Sequence, residues 1–164
     1  MEKRNKEKEF EDAIVEFGPI ITKICYYFSD SRNEFQDLRQ EILLNLWKGW
    51  ENFQTNSKLS TWIYRVSFNT CVSFYRKGKK DKNFISIDHI IDLPAETENS
   101  KLENYNTMLS LIRNLSYQER VIIMLWLEDK SYEEISDLMG INRNTLAVRI
   151  KRIKEKLIRM ASKG

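Results

Sequence analysis

The sequence predicts an all-α protein in which an acidic linker joins two small helical domains. The 164-residue chain is 41% hydrophobic and 12% aromatic, so it can form packed cores. Its 5 glycines and 2 prolines are too few for a sheet-rich fold with many tight turns. Apolar residues recur at helical spacing in both halves of the chain, and a polar, acidic stretch interrupts the pattern between them. These observations together predict two helical domains.

The composition and charge exclude several classes of protein. The net charge is only +3, but the bases are unevenly distributed, which matters more for binding than the total does. No apolar run is long enough to span a bilayer, and the charged start is not a secretory signal. Cys25 and Cys71 are isolated in apolar stretches, so we expect reduced core thiols in a cytoplasmic protein. His89 has no second histidine or cysteine nearby, and neither a metal site nor a cofactor is expected.

The first domain is predicted to span residues 13–80, after a charged N-terminal arm at residues 1–12 that is expected to be a frayed helix start. A helix over residues 13–27 should be buried on a broad face. The next helix runs from Glu34 to Trp50, and its core stripe consists of Phe35, Leu38, Ile42 and Leu46. Another face of this helix is polar with one outward leucine, and consists of Asp37, Gln40, Glu41, Leu44 and Lys48. An exposed leucine is ordinary on a protein surface, but this face could equally be a docking surface.

A polar loop at residues 51–60 and the helix after it combine aromatic and basic residues. The helix begins at Ser60 or Thr61, and its inner pattern starts with Trp62 and Val66. Its outer side is assigned to Tyr64, Arg65, Asn69, Ser73, Arg76 and Lys77. Aromatic rings interleaved with cations suit single-stranded nucleic acid, because bases stack on rings while cations follow the backbone. The alternative is an aromatic core with a solvated basic end, and the residues alone favour neither.

The linker is predicted at residues 81–101. Pro94 breaks the helical pattern there, and between Asp88 and Glu103 several acids accompany a single base, Lys101. Such a segment would be repelled by DNA phosphates. We therefore expect it to lie in a basic channel of a partner or to fold back on the basic domains.

The second domain is predicted to span residues 102–164. A helix over residues 102–115 precedes Ser116, which should cap the next helix in a capping box with Glu119. The apolar residues after this cap predict a buried helix. The remainder of the domain contains two further helices.

Residues 131–157 are predicted to form these two helices, joined by a tight turn. Ser131 can cap the first helix in a capping box with Glu134, Gly140 supplies a stop where a positive φ is cheap, and Asn142 can cap the second helix. The second helix has an apolar back formed by Leu146, Ile150, Ile153 and Leu157.

The front of this second helix is polar and basic. Helical spacing places there Asn144, Thr145, Val148, Lys151 and Arg152. Between Arg143 and Lys163, Glu155 is the only acid among many bases. The pattern favours a helix-turn-helix that inserts its second helix in the DNA major groove over an αα-hairpin with a solvated basic face.

Two segments resemble regions of bacterial sigma factors, the subunits that direct RNA polymerase to promoters. DLRQEILLNLW, a polar loop and STWIYRVSFNTCVSFYRK are similar to sigma region 2. LSYQERVIIMLWLEDKSYEEISDLMGINRNTLAVRIKRIKEKL is similar to sigma region 4. Their order, the acidic linker and the short total length resemble the extracytoplasmic-function class of the sigma-70 family, which keeps only these two domains. The resemblance implies an initiation factor that is not an enzyme.

The resemblance also implies which residues contact each partner. In the family, region 2 docks on the clamp helices of core RNA polymerase, here through Asp37, Gln40, Glu41 and Leu44. The loop and the following helix capture unpaired −10 bases, here through Phe53, Gln54, Tyr64, Arg65, Asn69, Ser73, Arg76 and Lys77, with Trp62 supporting the loop. Region 4 binds the polymerase flap and reads the −35 duplex. The base and groove contacts are assigned to Asn142, Asn144, Thr145, Val148 and Lys151, and the phosphate contacts to Arg143, Arg149 and Arg152.

The chain departs from the family pattern at two places. The usual Gly-Thr-Val-Lys-Ser-Arg motif is Asn-Thr-Leu-Ala-Val-Arg here, so Ala147 lacks a phosphate-binding cation and Val148 offers an apolar contact suited to a thymine methyl. Ser73 stands where aspartate is common. These changes make the family's typical promoter a poor guide to the one read here.

Two other functions compete with this interpretation. A stand-alone helix-turn-helix regulator would dimerise and bind promoter DNA without polymerase, but such regulators lack a docking helix followed by an aromatic and basic helix. A helical module that only sequesters a partner would show little salt-dependent DNA affinity. Sigma factors of this class often have an anti-sigma factor as a partner, although no residue here identifies its contact surface.

Overall fold

The computed structural model describes residues 2–53, 57–79 and 99–163, and every regular element in these ranges is an α-helix. The all-α prediction is therefore confirmed. The chain divides into two compact units, Met1–His89 and Ile90–Gly164.

Each unit is built from a short series of helices. The first unit contains α1 (Glu2–Phe28), α2 (Arg32–Trp50) and α3 (Leu59–Lys79). The second contains α4 (Asn99–Arg113), α5 (Tyr117–Leu127), α6 (Tyr132–Met139) and α7 (Arg143–Ser162). The predicted linker lies outside the described residues as far as residue 98, whereas residues 99–101 belong to α4. Gln54 also lies outside the described residues.

The first unit is a three-helix bundle in which each helix packs against the other two. The predicted core stripe of α2 is confirmed, since Leu38, Ile42 and Leu46 are fully buried. The fully buried side chains of α1 and α3 include Ile21, Ile24 and Ile63. The helix begins at Arg32, two residues before the predicted start at Glu34, because the Ser31 hydroxyl caps it by accepting a hydrogen bond from the Glu34 N–H at 3.2 Å.

The charged N-terminal segment, expected to be a helix start, is helical in the structure. The helix α1 runs without interruption from Glu2, so the described part of the charged segment is continuous with the helix predicted over residues 13–27. Phe10 explains why this segment is ordered. Its ring packs edge-on against Trp47 and Trp50 of α2, with centroid distances of 5.0 and 5.3 Å. The ring of Phe10 therefore attaches the charged start of α1 to the bundle.

The outer face predicted for α3 needs one correction. Tyr64 was assigned to that face, but it is only 2% exposed and its ring stacks on Phe68. Because α3 packs against both α1 and α2, its buried face is wider than a single stripe. That face consists of Ile63, Tyr64, Ser67, Phe68, Thr70 and Cys71.

The second unit is organised around α5. Residues 121–125 of this helix are all buried, and α5 contacts both α6 and α7, while α4 packs on α7. The buried Arg120 side chain closes the turn before α5 by donating hydrogen bonds to the carbonyls of Leu115 and Arg113. The capping box predicted at Ser116 is present, with Glu119 as its partner.

Both cysteines lie in the core of the first unit. Cys25 on α1 and Cys71 on α3 are buried and unbridged, which confirms the prediction of core thiols. Burial raises the pKa of Cys25 from 9.0 to about 12 and raises the pKa of Cys71 well above 9.0. Both thiols are therefore protonated at neutral pH, and a protonated thiol is a poor nucleophile.

Candidate nucleic-acid and polymerase interfaces

The turn between α6 and α7 has the geometry expected from its sequence. Ser131 and Glu134 form a reciprocal capping box at the start of α6. Gly140 ends α6 with φ of 65°, in the left-handed region that a side chain disfavours. The Asn142 side-chain oxygen then accepts a hydrogen bond from the Thr145 N–H at 2.8 Å and begins α7. The predicted helix-turn-helix is therefore formed by local capping.

The two faces of α7 differ as predicted. Leu146, Ile150 and Ile153 are buried against the rest of the unit. The opposite face is exposed and includes Arg143, Asn144, Thr145, Val148, Lys151 and Arg152. Arg149 is half-buried, and Asn142 is exposed although its oxygen is engaged in the cap. The structure thus brings a polar, basic front to the first three turns of α7.

The bases of α7 belong to two groups that the sequence did not distinguish. Lys156 Nζ lies 2.9 Å from a Glu119 carboxylate oxygen, and Lys154 Nζ lies 3.9 Å from the centroid of the Trp126 ring. Both lysines therefore hold α7 against α5. Lys151 and Arg152 have exposed side chains on the front of α7. The pairing to α5 depends on tertiary packing, and no local pattern indicates it.

Glu119 joins the cap of α5 to α7. Its carboxylate accepts hydrogen bonds from the Ser116 N–H at 2.8 Å and from Lys156 at 2.9 Å. Burial disfavours the charged form of Glu119, but the hydrogen bonds from Lys156 and from Ser116 outweigh it. The pKa of Glu119 is therefore lower than its usual value of 4.5. The second unit is consequently stabilised by the ionised form of this side chain.

The outward face of α2 contains the residues predicted for docking. Asp37, Gln40 and Glu41 are exposed, and Leu44 is 45% exposed. Trp47, one turn after Leu44, is 42% exposed and extends this face. The sequence reasoning missed Trp47, although its spacing of three residues from Leu44 was a usable signal. An exposed leucine and tryptophan among polar side chains form a small amphipathic surface.

The loop after α2 begins in a cluster of aromatic rings. Phe53 stacks on Trp50 with a centroid distance of 6.2 Å and contacts Trp62 of α3 at 5.0 Å. Trp50 and Trp62 are themselves in edge contact at 6.0 Å. Gly49 permits this approach, because a Cβ atom there would lie 3.0 Å from the Trp62 ring. Trp62 therefore packs beneath the start of the loop, as its predicted supporting role requires.

The outer row of α3 is exposed beyond this cluster. Arg65, Asn69 and Ser73 follow one another at intervals of four residues, and Arg76 and Lys77 continue the row. The row from Arg65 to Lys77 spans about 18 Å of helix. Phe53 is half-buried at the start of the loop, and Tyr64 is absent from this surface because it is in the core. The structure therefore presents amide, hydroxyl and cationic groups in a line.

Residues 13–81 match sigma-70 region 2, and residues 105–157 match sigma-70 region 4. The two matches occur in the order found in sigma factors and together span most of the chain. The chain belongs to the sigma-70 family of RNA polymerase sigma factors.

Relatives of this sigma factor place it in the extracytoplasmic-function class. SigW of Bacillus subtilis, an RNA polymerase sigma factor of that class, is 27% identical over 169 residues that cover 94% of this chain and 90% of SigW. The B. subtilis sigma factor SigZ is 29% identical over 140 residues, which cover 85% of this chain and 78% of SigZ. The resemblance seen in the sequence is thereby confirmed, and a stand-alone regulator is not favoured.

Solved structures show that the fold of this sigma factor is shared. The sigma factor RpoE from Bartonella quintana, solved in complex with the anti-sigma factor NepR, superimposes with a TM-score of 0.75 at 21% identity. The alignment covers 94% of this chain and 98% of RpoE. CnrH, solved with the cytosolic domain of CnrY, gives a TM-score of 0.68 at 17% identity, covering 95% of this chain and 89% of CnrH. Phe10 precedes residue 13, the first residue that matches sigma-70 region 2.

A metal-binding cluster and a membrane-spanning helix are both absent from the described residues. Among them, no group of three or more His, Cys, Asp or Glu side chains is placed to hold a metal ion, and His89 lies outside them. In the same part of the chain, no helix has the length and apolarity needed to cross a bilayer.

Proposed function

We propose that this sigma factor directs transcription from specific promoters through three separate contacts. The helix α2 docks on core RNA polymerase, the α2–α3 loop and α3 capture unpaired −10 bases, and α7 reads the −35 duplex. The observation that supports this proposal is that α7 buries an apolar back and exposes a polar, basic front within the segment that matches sigma-70 region 4. We assign docking and −10 capture to residues 13–80, the linker to residues 81–101 and −35 recognition to residues 102–164.

Docking on the polymerase clamp helices is assigned to the outward face of α2. Asp37, Gln40 and Glu41 supply charge and hydrogen-bonding groups, and Leu44 supplies the apolar contact. Trp47 is added to this set because it is exposed on the same face. Exposed aromatic residues often anchor protein interfaces, since burying a large ring contributes much of the binding energy.

Capture of unpaired −10 bases is assigned to the loop and to the exposed row of α3. An asparagine amide both donates and accepts hydrogen bonds, so Asn69 can read a base edge. Arg65, Arg76 and Lys77 are placed to follow the phosphates of the separated strand. Tyr64 is removed from this set because its ring is in the core. Taking a base out of the duplex costs a few kcal/mol, which a shaped pocket must return.

Recognition of the −35 duplex is assigned to the front of α7. Asn144, Thr145, Val148 and Lys151 are exposed in the first turns of a helix that fits the major groove. Arg143 and Arg152 are placed for phosphates. Arg143 also pairs with Glu133 at 3.0 Å between two exposed side chains, a contact that DNA can replace at little cost.

The partners follow from these assignments. Core RNA polymerase would bind α2 of region 2 and, through its flap, region 4, and the promoter would bind both regions. Because polymerase performs the chemistry, this subunit acts in the cytoplasm as an initiation factor and not as an enzyme. Structural neighbours of this chain include RpoE bound to an anti-sigma factor. This likeness supports an anti-sigma factor as a further partner.

Run-off transcription tests the proposal. Core polymerase would be supplied with a library of random promoters, with and without this protein, and the selected initiation sites would be sequenced. Paired −35 and −10 motifs that appear only with this protein are expected. No stimulation together with no binding to core polymerase would overturn the proposal.

A further inference from the structure

Phe10 occupies an unusual position in the first unit. Its neighbours along α1 are charged and exposed, whereas its own side chain is half-buried. It precedes the part of the chain that matches sigma region 2, which begins at residue 13. The fully buried core of the unit is built from other side chains, such as Ile24, Ile42 and Ile63. Phe10 therefore extends the bundle beyond its main core.

The contacts of Phe10 lead directly to the loop that is proposed to capture a base. Its ring lies 5.0 Å from Trp47 and 5.3 Å from Trp50, in both cases edge-on. Trp50 is the last residue of α2 and stacks on Phe53. Trp62 completes the cluster from α3 by contacting both Trp50 and Phe53. One continuous set of rings thus connects α1 with Phe53, the third residue of the loop.

The contact between Phe10 and Trp50 matters because Trp50 is the last residue of α2. A residue at the end of a helix has lost part of the hydrogen-bond ladder that holds interior residues, so its side chain depends on tertiary contacts. Edge-on aromatic pairs have a preferred geometry and restrict the rings that form them. Phe10 therefore limits the orientation of Trp50, and Trp50 limits the orientation of Phe53.

We propose that Phe10 is a positioning residue for −10 recognition. It holds Trp50 so that Phe53 is preorganised to receive an unpaired base. This inference rests on the function proposed above for the loop and α3. Binding sites of this kind are sensitive to small displacements, because a misplaced supporting group lowers the affinity for the correctly bound state more than it lowers overall stability.

The test uses holoenzyme assembled from core polymerase and full-length variants. Phe10→Ala removes the ring, Phe10→Tyr retains it, and Phe10→Leu retains apolar volume without it. Val15→Ala is the matched control, because Val15 lies on the same helix and is 80% exposed. Three quantities are measured for each: affinity for core polymerase, permanganate reactivity of the opened promoter, and the affinity ratio of fork-junction DNAs that differ in one −10 base.

Phe10→Ala is expected to lower promoter opening and the base-discrimination ratio by about tenfold, the effect of losing one or two aromatic pairs. Its affinity for core polymerase should fall less than its base discrimination, although Phe10 also packs on Trp47 of the docking face. Phe10→Tyr and Val15→Ala should match the wild type, and Phe10→Leu should fall between. Where Phe10→Leu still binds core polymerase it is folded, so a loss of discrimination in this variant does not come from unfolding.

Two results would overturn the inference, and a further variant separates it from the function on which it rests. Phe10→Ala and Phe10→Leu with unaltered discrimination would exclude a positioning role. A parallel loss of core binding and discrimination would show that Phe10 only supports the fold. Asn69→Ala is measured alongside: if it lowers discrimination while Phe10→Ala does not, only the role of Phe10 is wrong. If neither variant affects opening or discrimination, the proposed −10 function fails as well.

Discussion

Val148 shows how one side chain can alter the promoter that a sigma factor reads. It stands on the front of α7 and is 49% exposed, in a position where the family usually has a serine. An exposed valine next to a base edge cannot donate or accept a hydrogen bond. It can contact the methyl group of thymine in the major groove. Under the proposed −35 assignment, Val148 would shift recognition from hydrogen bonding towards shape.

Replacing Val148 tests this role. Val148→Ala should lower the preference for thymine at one −35 position by about 1 kcal/mol and leave other positions unaffected. Ile158→Ala is the matched control, because Ile158 is also apolar and exposed on α7 but lies about 15 Å further along the helix. Competition binding of holoenzyme to −35 duplexes with single substitutions gives the measurement. Equal effects of the two substitutions would contradict the assignment.

The helix α7 carries two kinds of cation. Arg152 is exposed and proposed to face DNA, whereas Lys156 pairs with Glu119 of α5. Arg152→Ala should lower the slope of log affinity against log salt by about one unit, since one phosphate contact is lost. Lys156→Ala should leave that slope unchanged, because Lys156 is paired with Glu119 and is not placed on the front of the helix. The salt dependence of holoenzyme binding to −35 DNA distinguishes the two. Identical slopes for the two variants would show that the division of the cations is wrong.

The start of α5 should make the second unit sensitive to acid. The pKa of Glu119 is lowered on folding, so its stabilising contribution is present above its unfolded value of 4.5 and is lost as the pH falls through the lower folded value. Glu119→Gln should therefore be less stable than the wild type at neutral pH by up to about 1 kcal/mol, because the charged contact with Lys156 is lost while glutamine can still complete the capping box. At pH values below the folded pKa the difference should vanish.

Thermal unfolding across this pH range measures the effect. Glu155→Gln is the control, because Glu155 is also on this unit but is exposed. Its unfolding curve should follow that of the wild type at every pH. A difference between wild type and Glu119→Gln that persists in acid would refute the linkage.

Elements defined by local chemistry could be predicted from the sequence, and those defined by tertiary contacts could not. Ser116 and Ser131 cap their helices as predicted, because a cap depends on residues within one turn. Tyr64 was misplaced because the width of a buried face depends on how many helices pack against it. Phe10 gave no local signal, since its partners Trp47 and Trp50 lie far along the chain.

The candidate surfaces also differ in whether local sequence or tertiary contacts determine them. The front of α7 was predicted correctly because a helix of known register fixes which side chains share a face. The roles of Lys154 and Lys156 were not predicted, because their partners Trp126 and Glu119 are on α5. Helical periodicity places a side chain on a face, but it does not indicate what that face meets.

At the scale of the whole molecule, polymerase docking and DNA recognition are assigned to different surfaces. The docking face of α2 is separate from the exposed row of α3 and lies in a different unit from α7. Docking can therefore be disrupted without altering either DNA contact. This separation allows a direct test of the docking assignment.

Leu44→Asp should weaken binding to core polymerase by about tenfold or more, because it places a charge at the centre of an apolar contact. The thermal unfolding temperature should change little, since Leu44 is already 45% exposed. Val15→Asp provides the control on a surface with no assigned partner. Competition for core polymerase against a second sigma factor measures the effect. Retained affinity in Leu44→Asp would exclude this face as the docking surface.

The buried thiols of the first unit have a practical consequence for labelling. Because Cys25 and Cys71 are enclosed and protonated, maleimide reagents at neutral pH should leave both of them unmodified. A cysteine introduced by Val15→Cys, at a site that is 80% exposed, would then accept a single fluorophore on the otherwise unaltered chain. Such a conjugate would let the departure of this subunit from individual transcribing polymerases be timed in a microscope.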